Sequence, residues 1–233
     1  MRVLPILFNT EMVRAILDGR KSCTRRICKD ANECTVPDMD FYNADRRTYA
    51  VHNFADQEHT EQLSIAERTC PICPGDILYV RETWQCWRAH RYEATADIRF
   101  RAGGDDVRLQ FANGSTDSID RYDFDTFVHK WFSHNGEWKP SLFMPKEAAR
   151  IWLRVTNVRV ERLQKIDEDG VAKEGLEPRF KVKDKFSGDI ARSRFLELWN
   201  STIKKSDLDR YGWDANPFVW VVSFEQCEKP EVN

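Results

Sequence analysis

The sequence has almost no net charge. Its 36 Lys and Arg stand against 38 Asp and Glu, a formal net charge of −2, which excludes a polycation acting through a global field. Any nucleic-acid contact must come from a local basic patch, and the runs at residues 20–26 and 179–185 are the places to look. No apolar run approaches the ~20 residues of a membrane-spanning helix, so no membrane contact is expected. The opening MRVLPILFNTEMVR lacks the h-region and small-residue cleavage site of a signal peptide, and a cytoplasmic protein is the expectation. P-loop, GxGxxG, HExxH and GxSxG patterns are all missing, and His52, His59, His90, His129 and His134 have no ligand spacing. Phosphoryl and hydride transfer therefore have no support.

A tidy disulfide framework is missing too, because the seven cysteines are odd in number. Free thiols are the default. Cys28 and Cys34 together with the CxxC pair Cys70 and Cys73 would offer four thiolates to a structural zinc, although only one half has the usual spacing. Otherwise no cofactor is required.

What is present is a chain of 233 residues, 41% apolar, enough for one large domain with a real core. Thr10 is a good N-cap for a helix over residues 11–18 ended by Gly19, and a basic loop follows. Residues 29–69 are polar and read as an excursion. The stretch PGDILYVRETW predicts a buried strand at residues 77–80. Residues 97–101 and 107–112 suit a hairpin, and 113–139 read as peripheral. ARIWLRVTNVRVERL, residues 149–163, alternates as one long strand whose phase shifts at Thr156 and Asn157, a bulge or bend of the kind barrels use. Helices are expected at 167–173 and 190–201, and a buried strand at 216–225. The sum is an α+β domain with a small barrel-like sheet, kept as one domain.

The chemistry concentrates at GRKSCTRR. Lys21 and Thr24 lie three apart beside Arg20, Arg25 and Arg26. Crowded cations favour an uncharged lysine, which would act as a base toward the threonine hydroxyl while the arginines hold an oxyanion or a phosphate. The competing reading is a surface turn with solvated charges. Glu174, before a glycine at a predicted helix end, and Glu82, closing a buried strand beside Arg81, are the candidate carboxylates, with an arginine ion pair the alternative for Glu82. Most of the eight tryptophans, Trp84, Trp152, Trp199, Trp213 and Trp220 among them, read as core, with one or two left to stack a base.

Taken in order, ILDGRKSCTRR, PGDILYVRETW, MPKEAARIWLRVTNVRVERLQKI, VAKEGLE and GWDANPFVWVVSFE resemble the ASCH domain family of the PUA-like superfamily, especially its long phage- and prophage-encoded members. The resemblance covers roughly half of the chain. It implies a single domain over residues 1–233, with a small PUA-like β-barrel, flanking helices and large loop insertions at about 29–69, 91–139 and 179–190. It also implies a basic cleft for RNA or a modified nucleobase. Some small members are amidohydrolases that deacylate N4-acetylcytidine with a lysine, a threonine and a glutamate, which would fall on Lys21, Thr24 and Glu174. Arg20, Arg25, Arg26, Arg81, Glu82 and Trp84 would contact the nucleic acid or substrate. The alternatives are a non-catalytic RNA- or DNA-binding module and a ribonuclease acting on single-stranded RNA.

Overall fold

A computed structural model describes residues 1–29, 35–43, 47–53, 65–69, 71–111, 123–176 and 187–231. In chain order the elements are β1 (Val3–Leu7), α1 (Thr10–Leu17), β2 (Cys23–Ile27), β3 (Thr35–Asn43), β4 (Thr48–Asn53), β5 (Ile65–Thr69), β6 (Ile77–Arg81), β7 (Trp84–His90), β8 (Thr95–Phe100) and β9 (Val107–Gln110). There follow α2 (Phe124–Trp131), β10 (Trp152–Arg162), α3 (Glu168–Lys173), α4 (Ser187–Thr202), α5 (Leu208–Tyr211) and β11 (Phe218–Cys227). This is a mixed α+β structure in which strands dominate and, among the described residues, no sheet closes on itself. Its contacts divide the chain into two compact units.

The first unit comprises residues 1–18, 77–154 and 226–233. β1 runs parallel to β6, and β6 pairs antiparallel with the start of β10 from Trp152 to Arg154. β7, β8 and β9 form an antiparallel sheet. One face of it carries Trp84, Cys86, Ala96, Ile98 and Phe100 into an apolar cluster with Phe111, Phe127 and Trp152. Residues 113–139, expected to be peripheral, send α2 into this core. Phe127 is wholly buried there because helical spacing turns it inward while Asp125, Thr126 and His129 stay exposed. At α1 the cap is Asn9 rather than Thr10, since the Asn9 side chain accepts the Met12 N–H at 2.8 Å.

The second unit comprises residues 19–76 and 155–225. Here the rest of β10 neighbours β11, and β11 pairs antiparallel with β2. β3, β4 and β5, within the polar stretch 29–69, make a separate antiparallel sheet. α3 and α4 share a cluster in which Val171, Phe195 and Trp199 meet Cys23, Val219 and Val221. The alternation in β10 shifts phase at Thr156 and Asn157, both exposed, between buried Val155 and Val158. The basic stretch expected as a loop is instead the strand β2. Alternation puts Cys23, Arg25 and Ile27 on one face and Thr24 and Arg26 on the other.

Candidate functional site

The polar centre of the second unit is built where α3 ends against the start of β2. Asp167 caps α3 by accepting the Gly170 N–H at 2.7 Å, and the helix stops at Glu174, whose backbone bridges that of Lys21. The Lys21 side chain is fully enclosed. Its Nζ donates to the Glu174 carboxylate at 2.6 Å, to the Glu174 carbonyl at 3.0 Å and to the Cys23 carbonyl at 2.8 Å. Three acceptors match the three donors of an ammonium group. The other Glu174 oxygen accepts from Arg25 Nη1 at 3.2 Å. Arg25 in turn donates to Glu161 through Nε at 3.2 Å and Nη2 at 2.8 Å, and Arg159 reaches the far oxygen of Glu161 at 3.1 Å. A chain of alternating charges results, buried at Lys21, Glu174 and Arg25 and opening to solvent at Arg159.

Two features make room for it. Gly170 lies beneath the Arg25 guanidinium, where a Cβ would stand 3.0 Å from Nη2. Phe195 of α4 supports the same guanidinium, 5.8 Å from its ring centroid. Cys23, on the same strand face, is a small hydrophobe and not a nucleophile, because burial first and Glu174 second push its thiol up against the pull of Arg25 and Lys21.

Thr24 and Arg26 occupy the other face of β2, opposite Val222 and Trp220 of β11. On that face lies a cavity of about 360 Å³ lined by Arg26, Ile27, Lys29, Pro71, Ile72, Val158, Trp220 and Val222. Burial pulls the Arg26 guanidinium below its ordinary value, with Glu174 opposing. Thr24 is buried, its neighbour Cys23 carries the carbonyl that Lys21 grips, and among the described residues the Thr24 hydroxyl bonds neither Lys21 nor Glu174.

The remaining candidates are dispersed. Arg20 donates to the Gly175 carbonyl at 2.7 Å and so fixes the turn after α3. Arg81, Glu82 and Trp84 belong to the first unit. There Glu82, beside Arg81 in sequence, is held instead by the Arg150 fork at 2.9 and 3.0 Å. Arg81 lies over Tyr79 and donates to the Leu142 carbonyl, while Trp84 is wholly buried against Phe127 and Trp131. Of the four thiols weighed for zinc, Cys28 and Cys73 are buried, and Cys34 and Cys70 lie outside the described residues. Among the described residues no group of three or more His, Cys, Asp or Glu is gathered for a metal.

Reading the sequence passed over Glu161, which completes the ion chain, and Trp220 and Val158 as cavity walls. Alternation along residues 149–163 already set Glu161 apart from the apolar positions, but only strand pairing brings Trp220 opposite Arg26. The chain matches no family model, no curated protein and no solved structure.

Proposed function

We propose that this protein binds a nucleobase, modified or within RNA, in the cavity on the Thr24 face of β2, and that hydrolysis of an N4-acylated cytidine is the reaction its polar centre would support. The observation that carries the proposal is the pairing of Arg26 with Trp220 at that cavity. An indole and a guanidinium side by side offer a surface for a flat ring and a donor for its carbonyl or phosphate, within a volume typical of small-ligand sites. The PUA-like barrel implied by the resemblance to ASCH proteins belongs to the same proposal, with β10, β11 and β2 as part of its wall.

In the hydrolytic version Thr24 Oγ attacks the acyl carbonyl and its proton passes to the Glu174 carboxylate, which Lys21 holds at 2.6 Å. The same carboxyl then protonates the leaving exocyclic nitrogen, and water releases the acyl group from Thr24. Lys21 is pinned to the carbonyl of the peptide that joins Cys23 to Thr24, while the Thr24 side chain belongs to the opposite face of β2, so the hydrolytic version requires that segment of β2 to rearrange. A binding-only reading is favoured by a different fact: all three Lys21 donors are already engaged, as suits a strut that holds the cavity wall.

Incubating the purified protein with N4-acetylcytidine and following cytidine release separates the two. Release by wild type, lost in Thr24→Ala, supports hydrolysis. Absence of release, with nucleobase or RNA affinity that survives Thr24→Ala and falls with Arg26→Ala, leaves the binding reading. Absence of both overturns the proposal.

A further inference from the structure

We propose that the polar face of the β7–β9 sheet, around Trp87, Arg88, Arg99 and Trp138, is a docking strip for single-stranded nucleic acid, distinct from the Lys21–Glu174 region and independent of the function proposed for it. The strip lies wholly within the first unit.

Strand register assembles it. Gln85 of β7 stands opposite Arg99 of β8. On the other side of β7, Trp84 and Lys139 exchange main-chain hydrogen bonds at 2.7 and 3.2 Å, which brings Trp138 level with Gln85. Trp138, Gln85 and Arg99 therefore form one row, on the face opposite the buried Trp84, Cys86, Ile98 and Phe100. The irregularity between Cys86 and Arg88 brings Trp87 and Arg88 in beside the row. The Arg99 guanidinium then lies between two indoles, 5.5 Å from Trp87 and 5.7 Å from Trp138, and Arg88 covers Trp87 at 4.2 Å. Trp87 is itself oriented by its indole N–H, donated to Asp106 at 2.9 Å.

These cations are ordered yet uncommitted. Arg99 donates through Nε to the Gln85 side-chain oxygen and, among the described residues, through no other atom, while Arg88 makes no hydrogen bond or ion pair there. Stacking has already restricted both side chains, and their outward N–H forks suit the bidentate capture of a phosphodiester. Gln85 adds an independent sign. It is wholly buried, its oxygen is taken by Arg99, and among the described residues its Nε2 has no acceptor, a deficit that a base carbonyl would meet where the row opens around it. Exposed Trp138 offers a face for stacking. An acidic peptide would use the forks and leave the indoles idle, whereas alternating aromatic and cation matches alternating base and phosphate.

The test is fluorescence anisotropy of the full-length chain with fluorescein-labelled oligo(U) and oligo(dT) at low salt. Wild type should bind. Arg99→Ala and Trp138→Ala should each weaken binding about fivefold or more, and Arg99→Lys should fall with Arg99→Ala because lysine lacks the planar fork. Arg91→Ala, an exposed arginine outside the strip, should match wild type, and circular dichroism confirms that each variant is folded. Cytidine release from N4-acetylcytidine reads the second unit alone, so the two proposals fail separately. The docking strip is overturned if neither oligonucleotide binds, if Arg99→Ala and Trp138→Ala both bind like wild type, or if poly-glutamate binds and displaces the oligonucleotides at equal charge concentration.

Discussion

Lys21 illustrates what burial demands of a cation. An enclosed ammonium group is tolerated only when its donors and its charge are both met, and here Cys23 and Glu174 supply three acceptors, one of them anionic. Removing one partner of such a pair leaves the other charge buried. Lys21→Ala should therefore destabilise the protein by about 3–5 kcal/mol, measured by urea unfolding, whereas Arg159→Ala, at the exposed end of the same ion chain, should cost under about 1 kcal/mol. Equal losses would mean that burial is not what governs the pair. The sequence placed Lys21 and Glu174 in one candidate group, but that Arg25 points inward was not legible. Four cations in seven residues look solvated until Glu161 and Glu174 arrive from elsewhere in the chain.

Among the elements, α3 is short, and its glycine is a matter of space. Alanine at position 170 would gain roughly 1 kcal/mol of helix propensity, yet its Cβ would stand 3.0 Å from Arg25 Nη2, Asp167 Oδ1 and Ile166 Cγ1. Gly170→Ala should be destabilising on balance, and less so in an Arg25→Ala background, with a coupling of about 0.5–3 kcal/mol from the double-mutant cycle. Additive effects would remove Arg25 from the account of that glycine. Elements whose pattern follows a single period were legible in the sequence: β6 as an apolar run, β10 with its phase shift at Thr156 and Asn157, and the helix α3. β2 was not, since its alternation sets arginine beside cysteine and threonine, and a hydrophobic pattern is blind to a cation whose partner lies over a hundred residues away.

For the whole molecule, stability against pH sums groups of opposite sign. Burial raises the Glu82 carboxyl above its ordinary value, more than the Arg150 fork lowers it, so the folded state holds that proton more tightly than the unfolded state. Its contribution is complete below the unfolded value of about 4.3 and is lost as pH rises through the folded one. Asp97 behaves oppositely. Its hydrogen bonds to Arg108 first, and also to His90, hold it below the ordinary value, so its contribution is present above about 3.9 and is lost as pH falls through the folded value. Urea midpoints across the acid range should show Glu82→Gln removing the decline above about pH 4.3, and Asp97→Asn removing the loss below about 3.9. Unchanged profiles would mean that neither environment differs from the unfolded chain. The amino-acid sequence alone determined the α+β class, the near-neutral charge, the strands β6 and β10 and the grouping of Lys21 with Glu174, because these rest on composition, periodicity and position at the ends of expected elements. The tertiary structure alone decided which face of β2 each residue occupies, that Arg26 meets Trp220 and that Arg99 lies between two indoles. Each of those depends on strand register, which is set by the packing of segments distant in the chain.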